Sequence, residues 1–357
     1  MQSMMMETII AKIQENNEAA NEETYALAGK ILRAGGLVAF PTETVYGLGG
    51  DALDEDASSR IYAAKGRPSD NPLIVHIADK ADLYRLSCDV NENALKLADA
   101  FWPGPLTIIL KKSDIVPVTI TGGLDTVAIR MPSHPVAARL IKSSGVYIAA
   151  PSANTSGKPS PTKAEHVIDD LSGRIDMIIA DDTVDIGVES TIVVLSEEIP
   201  TILRPGYITK AMLSEVLGEV RIDPGIETSV KPGVVPKAPG MKYKHYAPSA
   251  DLAIVEGEMN QVIDYINREA DSKASQGFKV GVLATDETKS LYKAEVVRSA
   301  GSRSSEASVA HNLFALLREF DSLGVQYIYS ESFPTDNVGQ AVMNRLIKAA
   351  GHTIINV

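Results

Sequence analysis

Residues 37–49 read Leu37-Val-Ala-Phe-Pro-Thr-Glu-Thr-Val-Tyr-Gly-Leu-Gly49, and they set the pattern of the N-terminal half. The first four residues form an apolar run that is typical of a buried strand. The next residues place two hydroxyls, Thr42 and Thr44, on a segment that Pro41 stiffens, and glycines at 47 and 49 permit close backbone approach. The stretch therefore predicts a buried strand that leads into a strand-to-helix turn with polar side chains at the strand end.

Short apolar runs continue to alternate with helical stretches from residue 22 to residue 220. Strands are predicted at 37–40, 73–77, 106–110, 127–130, 146–149, 177–180, 191–195 and 201–203. Helices are predicted at 56–65, 91–101, 135–143 and 163–171. This mixture indicates an α/β domain with a substantial mixed sheet.

A chain of 357 residues is long enough for two domains, and we place the first at residues 1–222. Residues 250–357 form the second, smaller α/β domain, with a Rossmann-like layout. Its strands are predicted at 252–255, 280–283 and 325–329, and its helices at 261–268, 305–321 and 339–350. It lacks the glycine fingerprint with which such folds bind dinucleotides.

Between the domains, residues 223–249 are rich in proline and glycine and are predicted to form an extended linker. From Ser229 to Ser249 the linker carries four lysines and His245 but no acidic residue. Two interpretations remain open: the segment is a spacer, or it folds over an anionic ligand.

The overall composition excludes several classes of protein. The net charge of −12 argues against a protein that coats nucleic acid or anionic membranes. The single cysteine, Cys88, excludes an internal disulfide, and we expect it to be a small buried residue. The N-terminus has no signal-peptide pattern, and no apolar run reaches 18 residues. We therefore expect a cytoplasmic protein without stable membrane association.

Ordinary signatures of nucleotide and metal sites are absent from the sequence. There is no P-loop, no complete Gly-x-Gly-x-x-Gly, no paired-histidine spacing for zinc and no Gly-x-Ser-x-Gly elbow. The sequence instead offers Lys65-Gly-Arg-Pro-Ser-Asp-Asn-Pro-Leu73, a Gly/Pro loop with two cations and the amide of Asn71. Lys65 and Arg67 can neutralise the phosphates of a nucleotide, and we expect both to be poorly buried without a ligand.

Further polar residues occur where predicted strands end. Arg130 closes an apolar strand, where a cation needs a partner: either an acid of the protein or the carboxylate of a substrate. The segment Ala149-Ala-Pro-Ser-Ala-Asn-Thr-Ser-Gly-Lys-Pro-Ser160 offers hydroxyl, amide and open backbone N–H donors that suit phosphate. Glu189-Ser-Thr191 and Leu203-Arg-Pro-Gly206 again place a hydroxyl and an arginine at strand ends.

Together these segments resemble the YrdC-type threonylcarbamoyl-AMP synthases. The resemblance lies in Pro-Thr-Glu-Thr-Val-Tyr-Gly-Leu-Gly, Lys-Gly-Arg-Pro-x-x-Asn-Pro-Leu, Ala-Pro-Ser-Ala-Asn-x-Ser-Gly and Glu-Ser-Thr-Ile-Val, in this order and spacing. Lys244-His-Tyr-Ala-Pro248 and the additional C-terminal domain are similar to the long, two-domain form of the family. The match runs from about residue 25 onward, so that only the Met-rich N-terminal extension falls outside it.

The resemblance implies an α/β fold with a YrdC-like mixed-sheet domain, and a nucleotidyltransferase reaction. L-threonine, bicarbonate and ATP, with Mg²⁺ accompanying the nucleotide, would give threonylcarbamoyl-adenylate and pyrophosphate. Separate tRNA-modification enzymes would use this product downstream, and whether the chain itself binds tRNA stays open. In such a reaction a carbamate oxygen attacks the α-phosphate of ATP while pyrophosphate departs. Positioning of the substrates and neutralisation of their charge should therefore outweigh acid–base chemistry.

The resemblance also implies the roles of individual residues. The implied threonine-binding residues are Thr44, His76, Arg130, Ala150 and Ser190. The implied ATP-binding residues are Lys65, Arg67, Asn71, Thr126, Ser152, Asn154, Ser160, Arg204 and Tyr246. Within these groups, Lys65 and Arg67 would act on the reacting phosphates, Arg130 would pair with the threonine carboxylate, and Tyr246 would close from the linker. No residue is assigned as a dedicated metal ligand.

Three alternative functions are kept. Related domains occur in carbamoyl-transfer proteins that mature hydrogenases, but those carry zinc-binding cysteines that this chain lacks. An RNA- or tRNA-binding module is disfavoured by the charge of −12, although the basic linker could form a local patch. A plain ATP hydrolase would need neither threonine nor bicarbonate.

Overall fold

The structure is a computed structural model, and it describes residues 7–66, 71–181, 184–226 and 245–357. The chain divides into two compact units. The first contains most of residues 1–242, and the second contains residues 243–357 together with two short segments, 157–160 and 186–188. Each unit is described separately below. No helix in the described ranges is both long enough and apolar enough to cross a membrane.

The first unit is built on one mixed sheet of 11 strands. Its strands are β1 (Ile9–Lys12), β2 (Val38–Phe40), β3 (Gly47–Asp51), β4 (Ile74–His76), β5 (Leu106–Lys111), β6 (Thr126–Arg130), β7 (Ile148–Ala150), β8 (Met177–Ala180), β9 (Thr191–Val194), β10 (Thr201–Arg204) and β11 (Arg221–Ile222). The spatial order is β1-β8-β2-β3-β7-β4-β6-β5-β9-β10-β11. Its helices are α1 (Glu18–Arg33), α2 (Ala57–Lys65), α3 (Leu83–Leu86), α4 (Glu92–Phe101), α5 (Pro135–Ser144), α6 (Ala164–Leu171) and α7 (Lys210–Leu217).

Strand periodicity separates the two faces of this sheet. In β2, Ala39 belongs to the large core of the unit, whereas Val38 and Phe40 belong to a second core that packs against α1 and α5. Farther along the same second face, a third apolar group lies on β4, β5, β6, β9 and β10 and includes Ile74 and Ala128. Because successive side chains of a strand alternate between faces, residues two positions from Ile74 and Ala128 lie on this second face too.

The predicted strand-to-helix turn after β2 is wrong. The chain instead turns back into β3, which pairs antiparallel with β2. The strand is hard to recognise because glycines replace the usual β-branched residues. They are needed here, since a Cβ at Gly49 would lie 2.6 Å from Ile148 Cγ2 and 2.9 Å from the Phe40 ring. The expected close backbone approach at this glycine is therefore confirmed.

The second unit carries a fully parallel sheet of five strands, in the order β14-β13-β15-β12-β16. The strands are β12 (Asp251–Glu256), β13 (Val280–Ala284), β14 (Val296–Ser299), β15 (Tyr327–Glu331) and β16 (Ile354–Asn356). The helices are α8 (Met259–Ser275), α9 (Glu306–Ser322) and α10 (Gly339–Ala349). The two α/β layouts predicted from the sequence, one mixed and one Rossmann-like, are thus confirmed.

Most predicted elements match observed ones to within a few residues at each end, and α8, which extends to Ser275, is the largest departure. The prediction missed the edge strand β1, helices α1, α3 and α7, and the short strands β3, β11, β14 and β16. Cys88 was expected to be buried, but it is exposed. The turn that carries it leaves the thiol at the surface, 3.9 Å from the Lys111 carbonyl oxygen.

Candidate functional site

A row of directly paired residues crosses the second face of the large sheet. His76 on β4 pairs with Arg130 on β6, and Arg130 pairs with Thr107 on β5. Thr107 pairs with Ile192 on β9, which pairs with Arg204 on β10. Directly opposed residues in a sheet present their side chains to the same face. The strand register therefore places three of the predicted site residues on one face: His76 and Arg130 are direct neighbours, and Arg204 lies three strands away from Arg130.

Arg130 is the central cation of this row, and its guanidinium is held from three sides. Nη2 lies 2.7 Å from Glu43 Oε1, and both side chains are about 95% buried, with 5% exposed in each. Nη1 donates to Thr44 Oγ1 at 3.0 Å, and Nε donates to the Gly104 carbonyl at 3.4 Å. Of the two partners that the sequence left open for this arginine, the substrate-free chain contains the acid, which is Glu43.

The pair between Glu43 and Arg130 is close without being fully hydrogen bonded. Among the described residues, neither carboxylate oxygen of Glu43 nor Nη2 of Arg130 has a well-aligned hydrogen-bond partner. Burial alone would raise the pKa of Glu43, but the charge of Arg130 outweighs it and lowers that pKa. Glu43 is therefore ionised at neutral pH and keeps capacity to accept hydrogen bonds.

His76 is buried and neutral. Burial, with the Arg130 charge as a second cause, lowers the pKa of His76 to about 3. Its Nδ1 lies 3.1 Å from the Ile74 carbonyl oxygen and 3.3 Å from the Ile148 carbonyl oxygen. Since carbonyl oxygens only accept, Nδ1 carries the proton and Nε2 is the acceptor of the ring. His76 can thus accept a hydrogen bond from a ligand hydroxyl or amine.

Ser190 lies beside the same row and links Thr107 to Arg204, the residue that ends the row. Its Oγ lies 2.8 Å from Thr107 Oγ1 and accepts from Arg204 Nη2 at 3.0 Å. Arg204 Nε donates to the Ser190 carbonyl at 3.0 Å. All three side chains are buried, so this small network fixes the orientation of the arginine.

Lys65 ends helix α2 and is buried, with 2% exposed, so the expectation of a poorly buried cation is wrong for it. Gly66, in the left-handed conformation with φ of 64°, stops the helix there. Nζ of Lys65 donates to the carbonyl oxygens of Ser152 at 2.5 Å and Asn154 at 2.6 Å. These bonds, which sequence patterns do not reveal, explain the burial: the ammonium holds the loop that follows β7.

The loop after β7 is tied down at several further points. Ser156 N donates to the Lys65 carbonyl at 2.9 Å, and Ala153 N donates to the Tyr46 carbonyl at 2.8 Å. Ser152 Oγ donates to Asn154 Oδ1 at 2.6 Å. The predicted nucleotide-binding residues Lys65, Ser152 and Asn154 therefore form one cluster, as expected for neighbouring walls of a site.

The remaining predicted residues of the first unit are spread along the strands. Asn71 is buried and precedes β4, where its carbonyl accepts from the Tyr62 hydroxyl. Ala150 pairs with Ile74, and its side chain joins the apolar core against α1 and α5. Thr126 begins the strand that Arg130 ends, so the two lie ~13 Å apart along β6. The register does not bring Thr126 into the row around Arg130.

Three predicted residues fall elsewhere. Arg67 lies outside the described residues, as does most of the predicted linker, from 227 to 244. Ser160 and Tyr246 belong to the second unit, and both are buried there. Tyr246 adopts φ of 64° and packs on Phe314 of α9, with ring centroids 5.1 Å apart.

The sequence patterns did not single out two residues of the candidate site, Glu43 and Thr107. Glu43 stands between two threonines directly after a buried strand, and Arg130 called for an acid, so a signal existed for it. Thr107 is a lone hydroxyl in an apolar strand, and only its pairing with Arg130 shows that it lies at the candidate site. Within the described part of the chain, no group of three or more His, Cys, Asp or Glu side chains could hold a metal ion.

Comparison with known families covers nearly the whole chain. Residues 30–206 match the family model described as Telomere recombination, and residues 208–351 match the model described as Threonylcarbamoyl-AMP synthase, C-terminal domain. The threonylcarbamoyl-AMP synthase of Bacillus subtilis is 50% identical over 338 residues, which cover 94% of this chain and 96% of the relative. That of Pyrococcus abyssi is 49% identical over 350 residues, which cover 98% and 100%.

Solved structures extend the likeness to the fold. The crystal structure of P. abyssi Sua5 complexed with L-threonine matches with a TM-score of 0.90 and 47% identity. The match covers 98% of this chain and 99% of that protein. The similarity thus includes both α/β units.

Proposed function

Because the chain belongs to the threonylcarbamoyl-AMP synthase family, we propose that it joins L-threonine, bicarbonate and ATP into L-threonylcarbamoyladenylate and releases pyrophosphate. The product carries the threonylcarbamoyl group that a separate enzyme attaches to an adenosine of certain tRNAs. The observation that carries this proposal is the buried row of His76, Arg130 and Thr107, with Ser190 beside it. It offers a cation, a neutral acceptor and hydroxyls on one face of three neighbouring strands.

The threonine end of the proposed site is the neighbourhood of Arg130. Its planar guanidinium suits a carboxylate, and its contacts with Thr44 and Gly104 hold it in one orientation. His76 Nε2 can accept from the threonine hydroxyl because the ring is neutral at every physiological pH. Ser190 supplies a further hydroxyl. The P. abyssi relative, solved with L-threonine bound, supports this choice of substrate.

The nucleotide end is the cluster around Lys65 and the loop after β7. Arg67, Asn71 and Arg204 remain proposed ATP-binding residues, of which Arg67 lies outside the described residues. Lys65 Nζ donates to two backbone carbonyls, so in this proposal it holds the loop in place and offsets the negative charge of the nucleotide phosphates. Ser160 and Tyr246 are kept as candidate ATP-binding residues.

Catalysis in this proposal consists of alignment and charge neutralisation. The carbamate oxygen attacks the α-phosphorus of ATP while pyrophosphate leaves on the opposite side, so the protein must orient two substrates and offset negative charge. Mg²⁺ would accompany the nucleotide, held largely by its phosphates and by water. The chain's own contribution is therefore the placement of the substrates.

The test is an incubation of the purified protein with Mg²⁺ and ATP, with and without threonine and bicarbonate. We expect pyrophosphate and the threonylcarbamoyl-adenylate only when all substrates are present. Pyrophosphate release that ignores threonine and bicarbonate would instead identify an ATP hydrolase. Arg130→Ala should abolish the product, whereas Arg139→Ala, which alters a surface arginine paired with Glu22, should leave it intact.

A further inference from the structure

Glu43 has a feature that a purely structural partner of Arg130 would not show. It is buried, with 4% exposed, and it stands 2.7 Å from the guanidinium of Arg130. Nevertheless, both of its carboxylate oxygens lack a well-aligned donor among the residues that the structure describes, and so does Arg130 Nη2. Buried polar atoms are normally hydrogen bonded, and an orphan calls for an explanation. Here Glu43 Oε1 and Arg130 Nη2 face each other at 2.7 Å without a well-aligned hydrogen bond, and Glu43 Oε2 lies beside them.

The charges of the pair suggest what satisfies these atoms. Arg130 and Glu43 together carry no net charge, and an amino acid at neutral pH is likewise a neutral zwitterion. A carboxylate beside the guanidinium and an ammonium beside Glu43 would supply the missing donors and acceptors without burying a net charge. A simple monoanion at Arg130 would instead face the Glu43 carboxylate. The pair therefore matches a ligand that carries both charges on adjacent atoms.

We propose that Glu43 binds the α-ammonium group of threonine, while Arg130 binds its carboxylate. This assignment rests on the proposed function and adds to it a residue that selects α-amino acids over simple hydroxy acids. The Thr44 hydroxyl, which accepts from Arg130, fixes the guanidinium between the two ligand groups. His76 and Ser190 remain available for the hydroxyl of the side chain.

Glu43 acts in this arrangement as a hydrogen-bond acceptor and not as a base. The charge of Arg130 lowers the pKa of Glu43, and a carboxyl with a lowered pKa takes up a proton poorly. The carboxylate therefore holds the ammonium group of the bound zwitterion as an acceptor.

The experiment measures binding, so it does not depend on turnover. Calorimetry compares L-threonine with its deamino analogue, which carries hydrogen in place of the ammonium group, in the wild-type chain and in Glu43→Gln. We expect the wild type to prefer threonine by about 10- to 100-fold, because one charge-assisted hydrogen bond is lost with the analogue. In Glu43→Gln the preference should fall to less than about 3-fold. Glu43→Asp, which keeps the charge, should restore part of it.

A matched control is Glu22→Gln, which also removes a carboxylate from an arginine pair, but at the surface. It should leave the preference at the wild-type value. If Glu43→Gln weakens threonine and the analogue equally, Glu43 only positions Arg130 and the assignment is wrong. If Glu43→Gln does not fold, the wild type and Glu43→Asp still decide, since a wild type without preference for the ammonium group overturns the assignment. Failure of the wild type to bind threonine at all would refute the proposed function as well.

Discussion

The two ends of the candidate site are held in different ways. Around Arg130, side chains are placed by strand register, because directly paired residues on β4, β6 and β5 must share one face. Around Lys65, a buried cation at a helix end holds a loop through backbone carbonyls. A register is fixed by every ladder bond of the sheet, whereas the loop depends on a few side-chain contacts. Substitutions at the two ends should therefore have different consequences.

The largest expected effect is at the end fixed by register. Arg130→Leu leaves the Glu43 carboxylate buried without its counter-ion, which should cost about 3–5 kcal/mol of unfolding free energy. Urea denaturation followed by circular dichroism measures this loss. Arg139→Leu serves as the control, because its partner Glu22 is 41% exposed and should tolerate the change. A loss below about 1 kcal/mol for Arg130→Leu would show that the pair is not effectively buried.

A somewhat smaller loss is expected at the loop end. Lys65→Met keeps the apolar stem but leaves two carbonyls without their charged donor, which should cost about 2–4 kcal/mol. ATP affinity should fall with it, while threonine affinity should change little, because the register around Arg130 does not involve Lys65. Calorimetry with each substrate measures the split. Lys96→Met, at a surface lysine paired with Glu92, provides the control. Equal loss of threonine affinity would mean that the two ends are coupled.

Acid should weaken the end that contains His76. The pKa of His76 is lowered to about 3 in the folded chain, against 6.5 for an ordinary histidine. The unfolded chain therefore binds the proton first, so the stability from the neutral ring is present above pH 6.5 and is lost as the pH falls toward 3. Between pH 7 and pH 5 the expected loss is about 2 kcal/mol.

His76→Asn should remove this part of the pH dependence, whereas the exposed His352→Asn should not. Arg130 and Glu43 are the charged groups that shift the pKa of His76, and their own titration should not account for the loss of stability between pH 7 and pH 5. Glu43, whose pKa the charge of Arg130 lowers, loses its stabilising charge only at lower pH. A wild-type curve that is flat between pH 5 and pH 7 would contradict the neutral buried ring.

The end fixed by register was also the more predictable one. Apolar runs of four or five residues predicted β4, β5, β6 and β9, and polar residues at the ends of β6 and β9 indicated part of the site. Which strand ends lie side by side depends on the order of the strands in the sheet. The position of β4 between β7 and β6 cannot be predicted from local sequence patterns. The partner of Arg130 could not be chosen for the same reason, because Glu43 is 87 residues away in sequence and its place depends on the whole sheet.

At the loop end, the sequence indicated the residues but not their bonds. Lys65 beside a glycine was interpreted as an exposed cation, because charged residues are rarely buried without partners. Its partners are backbone carbonyls, which every residue carries and which therefore leave no mark in the sequence. The glycine-rich β3 was missed for a related reason. Only glycine fits beside Ile148 and Phe40 at position 49, and glycine has a low strand propensity.

The smallest effect is expected at Thr126, at the opposite end of β6 from Arg130. Thr126 begins β6 and is only partly buried, so Thr126→Val should change the unfolding free energy by less than about 0.5 kcal/mol. Threonine affinity should also stay at the wild-type value, because ~13 Å of strand separates this residue from Arg130. If Thr126 contacts the nucleotide as proposed, ATP affinity alone should fall, by about 3- to 10-fold for one neutral hydrogen bond. Titrations with both substrates measure this, and a change in threonine affinity would show that the two ends of β6 belong to one subsite.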